Sequence, residues 1–141
     1  MLSKHPGSCR FPHGHTRRIE IVLVAKQLDA NDMVVDFSAL KLAMKDFIDM
    51  FDHSMAINSN DPMMKSLVKA YGDAMIVYED QDPTTEVIAR DIFEAVAEIL
   101  RTGWKGKNKD GLTFSIPAGR TQVERVRVWE TPSSWAEFGI D

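Results

Sequence analysis

Residues 18–26, RIEIVLVAK, alternate polar and apolar side chains and then turn continuously apolar, the pattern of a strand with one face buried and the other partly covered. QLDANDM is a turn by composition. From Val34 the period changes. Phe37, Leu40, Met44, Phe47 and Phe51 recur every three to four residues, which predicts an amphipathic helix over roughly 37–50 with Asp36 placed to cap it. FDHSMAINSNDP is polar and turn-rich; a short helical stretch near 62–70 and the β-like AMIVYE follow. In QDPTTEVIARDIFEAVAEILRTG the stripe Ile88, Ile92, Val96 and Ile99 predicts a second long helix. Asp82 is its expected cap, Pro83 suits its first position, and Gly103 ends it. WKGKNKDG reads as a hairpin or loop, and LTFSIPAG and VERVRVWET as strands, the second alternating Val126 and Val128 against Arg125 and Arg127. This order predicts an α+β fold: an antiparallel sheet with both long helices on one face.

Composition narrows the function more than the fold. A chain of 141 residues, 44% of them hydrophobic, is one domain able to bury a real core. A net charge of -4 argues against nucleic acid or an anionic membrane as the main partner, since both reward a dominant basic face. One cysteine cannot form an internal disulfide, so no oxidising compartment is implied. MLSKHPGSCRFPHGH lacks an apolar signal core, and IVLVA, the longest apolar run, is too short to span a bilayer; the cytoplasm is the expected location.

Candidate chemistry concentrates in CRFPHGHTRR, residues 9–18, which holds the single cysteine and two of the four histidines. In an extended segment His13 and His15 point to the same side, about 6.6 Å apart along the chain, with Gly14 leaving the opposite face open to close packing. Two imidazoles so placed suit a zinc ion, although a catalytic zinc usually takes three protein ligands. Surface histidines explain the same spacing. Cys9 beside Arg10 is either a small buried hydrophobe or a thiol whose thiolate is favoured by positive charge. Asp52 and His53 are adjacent after the first helix: an acid–base pair, or an imidazole at the negative end of a helix dipole. Glu130, at the end of VRVWE, offers two oxygens to paired N–H groups of a heterocycle, or is a strand-end charge. Thr84 and Thr85 are explained as helix-start residues.

Taken in order, CRFPHGH, MVVDFSALK, DHSMAIN, PTTEVIA and VRVWET resemble the 6-pyruvoyltetrahydropterin synthase and 6-carboxytetrahydropterin synthase family almost end to end. The spacing C-x-x-x-H-G-H is similar to the carboxytetrahydropterin type. That resemblance implies one tunnelling-fold domain over 1–141, an antiparallel sheet with two helices on one face, and homo-oligomers, trimers or hexamers, with active sites between subunits. It implies a zinc-dependent carbon–carbon lyase of queuosine and deazapurine biosynthesis, converting 7,8-dihydroneopterin triphosphate to 6-carboxytetrahydropterin, acetaldehyde and triphosphate. His13 and His15 match the zinc pair, Cys9 the base, and Asp52 and His53 the relay that completes proton transfer. Glu130 matches the pterin anchor, with Thr84 and Thr85 nearby, and Arg17, Arg18 or lysines of a neighbouring subunit would meet the triphosphate.

Two departures from the family pattern qualify this. The third zinc histidine, at the end of an N-terminal strand, would fall just before Met1, so the first strand is expected to be missing or truncated; His5, in the HPGS segment, is either a substitute ligand or, as is commoner for such a segment, a residue of a surface loop. HTRR also stands where the usual pattern has histidine, serine or asparagine, tyrosine or phenylalanine, then arginine. The alternatives are a pyruvoyl-type enzyme on the same pterin and a non-catalytic pterin-binding protein of the same fold.

Overall fold

The computed structural model describes residues 1–140. The opening alternation becomes strand β1 (Arg18–Ala25), and the first helical period becomes α1 (Phe37–Asp49). Asp36 caps α1 as expected, its Oδ1 accepting from the Ser38 amide at 2.7 Å. A single turn of 3-10 helix, Ser8–Arg10, carries Cys9. Beyond α1 come β2 (Met55–Asn58), α2 (Met64–Tyr71), β3 (Met75–Tyr78), α3 (Thr85–Thr102), β4 (Trp104–Lys107), β5 (Thr113–Ile116), β6 (Thr121–Thr131) and β7 (Ser134–Gly139).

These strands make three sheets rather than one. β1, β6 and β7 form an antiparallel sheet with β6 in the middle, and β4 and β5 form an antiparallel hairpin. β2 and β3 pair in parallel, with Met55 opposite Met75 and Asn58 opposite Tyr78, which departs from the all-antiparallel expectation. Nor do the two long helices share one sheet face: α3 packs on β6 and β7, whereas α1 packs on β4 and β5. The helix joining β2 to β3 is what permits parallel pairing, because parallel neighbours need a crossover.

One core nevertheless unites the pieces. Ile88, Ile92 and Val96 of α3 pack with Val126 and Val128 of β6 and with Ala39, Leu40 and Met44 of α1. Val123 and Val126 both reach this core because the β1–β6 register shifts between Val22 and Leu23, inserting one extra residue into β6. The opposite face of the sheet is polar: Arg127 pairs with Glu137 at 2.8 Å and lies over the Trp135 ring.

The start of α3 corrects one assignment. Thr84 is the cap, its Oγ1 accepting from the Val87 amide at 3.3 Å, and Asp82 is not. At the other end Gly103 has φ +78, and a Cβ there would approach Ile116 O to 3.0 Å, so both backbone and space require glycine. No helix among the described residues is long and apolar enough to cross a membrane.

Candidate active site

The functional side chains gather where β1, β6 and α3 meet. Arg18 lies opposite Trp129 in the β1–β6 register, which brings the residues just before β1 alongside the end of β6. Glu130 alternates with Val126 and Val128 and so faces the same side, towards the first turn of α3. There Thr85 Oγ1 donates to Glu130 Oε1 at 3.0 Å, and His15 Nε2 lies 3.2 Å from the same oxygen. Arg17 adds Nη2 at 3.6 Å from Oε1, while its Nη1 donates to Thr85 Oγ1 at 2.8 Å. Thr85 is buried and Glu130 half-buried. The positive end of the α3 dipole lies close by, a setting that favours carboxylate.

His13 and His15 stand together, ring centroids 5.0 Å apart and planes nearly perpendicular. The Phe11 carbonyl accepts from His13 Nδ1 at 2.7 Å, which leaves Nε2 of that ring as the lone-pair nitrogen. His15 has its Nε2 on Glu130, and a carboxylate or carbonyl on one ring nitrogen is the common support of a ligating imidazole. Burial lowers the pKa of His15; Glu130 opposes the shift, and Arg17 and His13 reinforce it. The neutral form that ligation needs is therefore favoured. The pair supplies two imidazoles of the type a zinc site uses, and among the described residues no group of three or more His, Cys, Asp or Glu side chains is arranged to hold one ion. His5 does not join it: its Nδ1 accepts from the Gly7 amide at 2.9 Å on an exposed turn. A Cβ at Gly14 would meet nothing within 4 Å, so that glycine is not explained by close packing in the described chain.

Cys9 is half-buried, and its carbonyl accepts from the Leu2 amide at 2.9 Å, which ties the turn to the preceding residues. Asp52 and His53 do touch: His53 Nδ1 donates to Asp52 Oδ1 at 2.9 Å. Both are exposed, with His53 at 93%, and no hydrogen bond or ion pair among the described residues links them to the HGH segment. Thr84 and Thr85 divide their tasks, the first capping α3 and the second reaching Glu130.

Both arginines of the HTRR segment make contacts within the chain. Arg17 turns inward to Thr85 and Glu130, and Arg18 pairs with Glu20 at 2.6 Å while lying over the Trp129 ring, so both are engaged within the chain. The alternation of His13, His15 and Arg17 was the available signal. Tyr78 was missed entirely. Burial pushes its phenol pKa up, and a hydrogen bond to Asp91 adds to the shift.

A family model described as 6-pyruvoyl tetrahydropterin synthase matches residues 1–140. Among curated relatives, a 6-carboxy-5,6,7,8-tetrahydropterin synthase of Aquifex aeolicus is 32% identical over 138 residues, covering 96% of this chain and 78% of the relative. The protein of the same name from Rickettsia bellii is 34% identical over 134 residues, covering 94% of this chain and 86% of its own. Among solved structures, an uncharacterized protein from Wolinella succinogenes superposes with a TM-score of 0.70 at 23% identity, covering 94% of this chain and 81% of that one, a likeness of fold.

Proposed function

Since the chain belongs to the 6-pyruvoyl tetrahydropterin synthase family, we propose that it is a 6-carboxytetrahydropterin synthase, a zinc-dependent carbon–carbon lyase acting on 7,8-dihydroneopterin triphosphate. The products are 6-carboxytetrahydropterin, acetaldehyde and triphosphate. The observation that carries the reading is the convergence of Glu130, Thr85 and His15 within 3.2 Å contacts, which sets a carboxylate able to grip an amino-substituted heterocycle beside the histidine pair. Curated relatives of that name, matched over nearly the whole chain, support the choice of reaction.

Glu130 would accept from the N–H edge of the pterin, and charge-assisted bonds of this kind fix orientation as well as affinity. His13 and His15 would hold zinc through the ring nitrogens left free by Phe11 and Glu130, together with a further ligand beyond this pair. Bound there, zinc would polarise the side-chain oxygens and ease loss of the adjacent protons. Cys9 would take a proton from the substrate side chain, and His53, oriented by Asp52, would complete its transfer. Ring reduction and side-chain oxidation balance inside the substrate and one water supplies the remaining oxygen, so no external redox partner is required. The exposed Asp52–His53 pair and the open edge of β7 favour an oligomer with shared sites, because neither is completed within one chain.

The test is incubation of the full chain with zinc and dihydroneopterin triphosphate, followed by mass analysis. The expected products are 6-carboxytetrahydropterin and acetaldehyde. A 6-pyruvoyl product would transfer the chain to the pyruvoyl type, and pterin binding without turnover would make it a binding protein.

A further inference from the structure

Glu130 Oε1 accepts a hydrogen bond from Thr85 Oγ1 and has His15 Nε2 at 3.2 Å and Arg17 Nη2 at 3.6 Å as ion-pair neighbours, whereas no hydrogen bond or ion pair among the described residues uses Oε2. An ionised carboxylate has about four lone-pair sites, two on each oxygen. The protein's own contacts therefore fall on Oε1, and Oε2 is the oxygen open to a ligand.

Arg17 sets this asymmetry. Its Nη1 donates to Thr85 Oγ1 at 2.8 Å, and a hydroxyl that accepts there still has one proton to give, which goes to Glu130 at 3.0 Å. The guanidinium thus acts on one carboxylate oxygen in two ways, by charge from Nη2 at 3.6 Å and by hydrogen bonding relayed through the hydroxyl. Three separate elements meet in this way: the segment before β1, the first turn of α3 and the end of β6. The side chains are sheltered, Arg17 being 22% exposed and Thr85 8%. A lysine would bring the charge without the fork that reaches both partners.

We infer that Arg17 is a positioning residue for the ligand anchor, holding Glu130 through Thr85 so that Oε2 meets the N–H edge of a bound amino-oxo heterocycle. This rests on Glu130 being the pterin anchor, as proposed above. It also gives a role to the arginine that replaces the usual aromatic residue of the HTRR segment.

The test uses the full chain with neopterin as the probe, read by fluorescence titration, and compares Arg17→Met, Arg17→Lys, Thr85→Val, Thr85→Ser and Glu130→Gln. Loss of one hydrogen bond to a charged group predicts about a tenfold weaker Kd for Arg17→Met and for Thr85→Val. The double variant should be little weaker than either single one, because both break the same relay. Thr85→Ser, which keeps the hydroxyl, should bind like the parent chain, and Arg17→Lys should recover only part of the loss. In turnover, KM should rise while kcat stays level, since the contact holds ground and transition states alike. Neopterin binding by Arg17→Met and Thr85→Val within about twofold of the parent, with Glu130→Gln impaired, overturns the inference and leaves the anchor standing. Unimpaired binding by Glu130→Gln removes the anchor, and the inference with it. If a thermal melt shows that Arg17→Met does not fold, the Thr85→Val and Thr85→Ser pair decides by the same criteria.

Discussion

The Asp82 carboxylate accepts from Asn58 Nδ2 at 2.9 Å, a contact buried between the end of β2 and the approach to α3. Its other oxygen accepts from the Lys4 amide at 2.8 Å. Asp82 is thereby committed to tying the N-terminal segment and β2 to the region before α3, and capping passes to Thr84. The anchor threonine is the next residue, so this buried tie helps fix where Thr85 points.

Asp82→Ala should destabilise the fold by about 2–3 kcal/mol, because it leaves the Asn58 amide buried without its acceptor. Denaturant unfolding at neutral pH measures this, with Asp82→Asn as the milder comparison. A loss below about 0.5 kcal/mol would mean that the contact contributes little.

Thr84→Ala removes the side-chain cap of α3 and should cost about 1 kcal/mol, with Thr84→Ser close to the parent. Pterin affinity should change little, since Thr85 rather than Thr84 reaches Glu130. A large loss of affinity with normal stability would reverse that division of tasks.

Elements with a strong internal period were legible in the sequence. The stripe from Ile88 to Ile99 marked α3, and the valines of VERVRVWET marked β6. β2 was not legible, since Met55–Asn58 is four residues long in a polar segment and its partner lies across α2. β7 buries Ala136 alone, and its face towards α3 is carried only by Ala136 and Phe138, too short a pattern to mark a strand. Adjacency left the Asp52–His53 contact open until the structure showed it, and the Thr85–Glu130 bond of the site joins residues 45 positions apart and depends on the fold. Arg17 was read as one of several cations that would meet the triphosphate, because charge alone does not reveal which way a side chain at the edge of a strand turns.

Cys9→Ala should abolish turnover yet leave pterin binding and folding intact, as expected for a thiol that moves a proton without anchoring the ring. Product formation and neopterin titration on the same sample separate the two effects. Turnover at the parent rate would remove the cysteine from the mechanism.

Acid should weaken the metal-free fold through His15. Its pKa is lowered in the folded state, so the unfolded chain binds the proton more readily. Stability from this source is present above about pH 6.5 and is lost as pH falls through the lower folded value. Zinc should be released only once pH falls to the lowered folded value or below it, because a protonated imidazole cannot ligate and the folded ring resists protonation above that point. Melting curves and metal content between pH 7 and 5 check both parts, and His15→Gln should flatten the stability change.

His53 holds φ +51, a left-handed backbone that costs a non-glycine residue about 1 kcal/mol or more, although its side chain is exposed and bonds Asp52 alone among the described residues. Packing gives no reason to keep an imidazole there; the proton-transfer role proposed above would supply one. His53→Gly relieves the backbone and deletes the imidazole, so stability should stay within about 1 kcal/mol of the parent while turnover collapses. Asp52→Asn should lower kcat with little change in KM, because it alters the orientation and charge of the proton carrier rather than the grip on the pterin. Full activity in the glycine variant would leave the strained histidine without the role assigned to it.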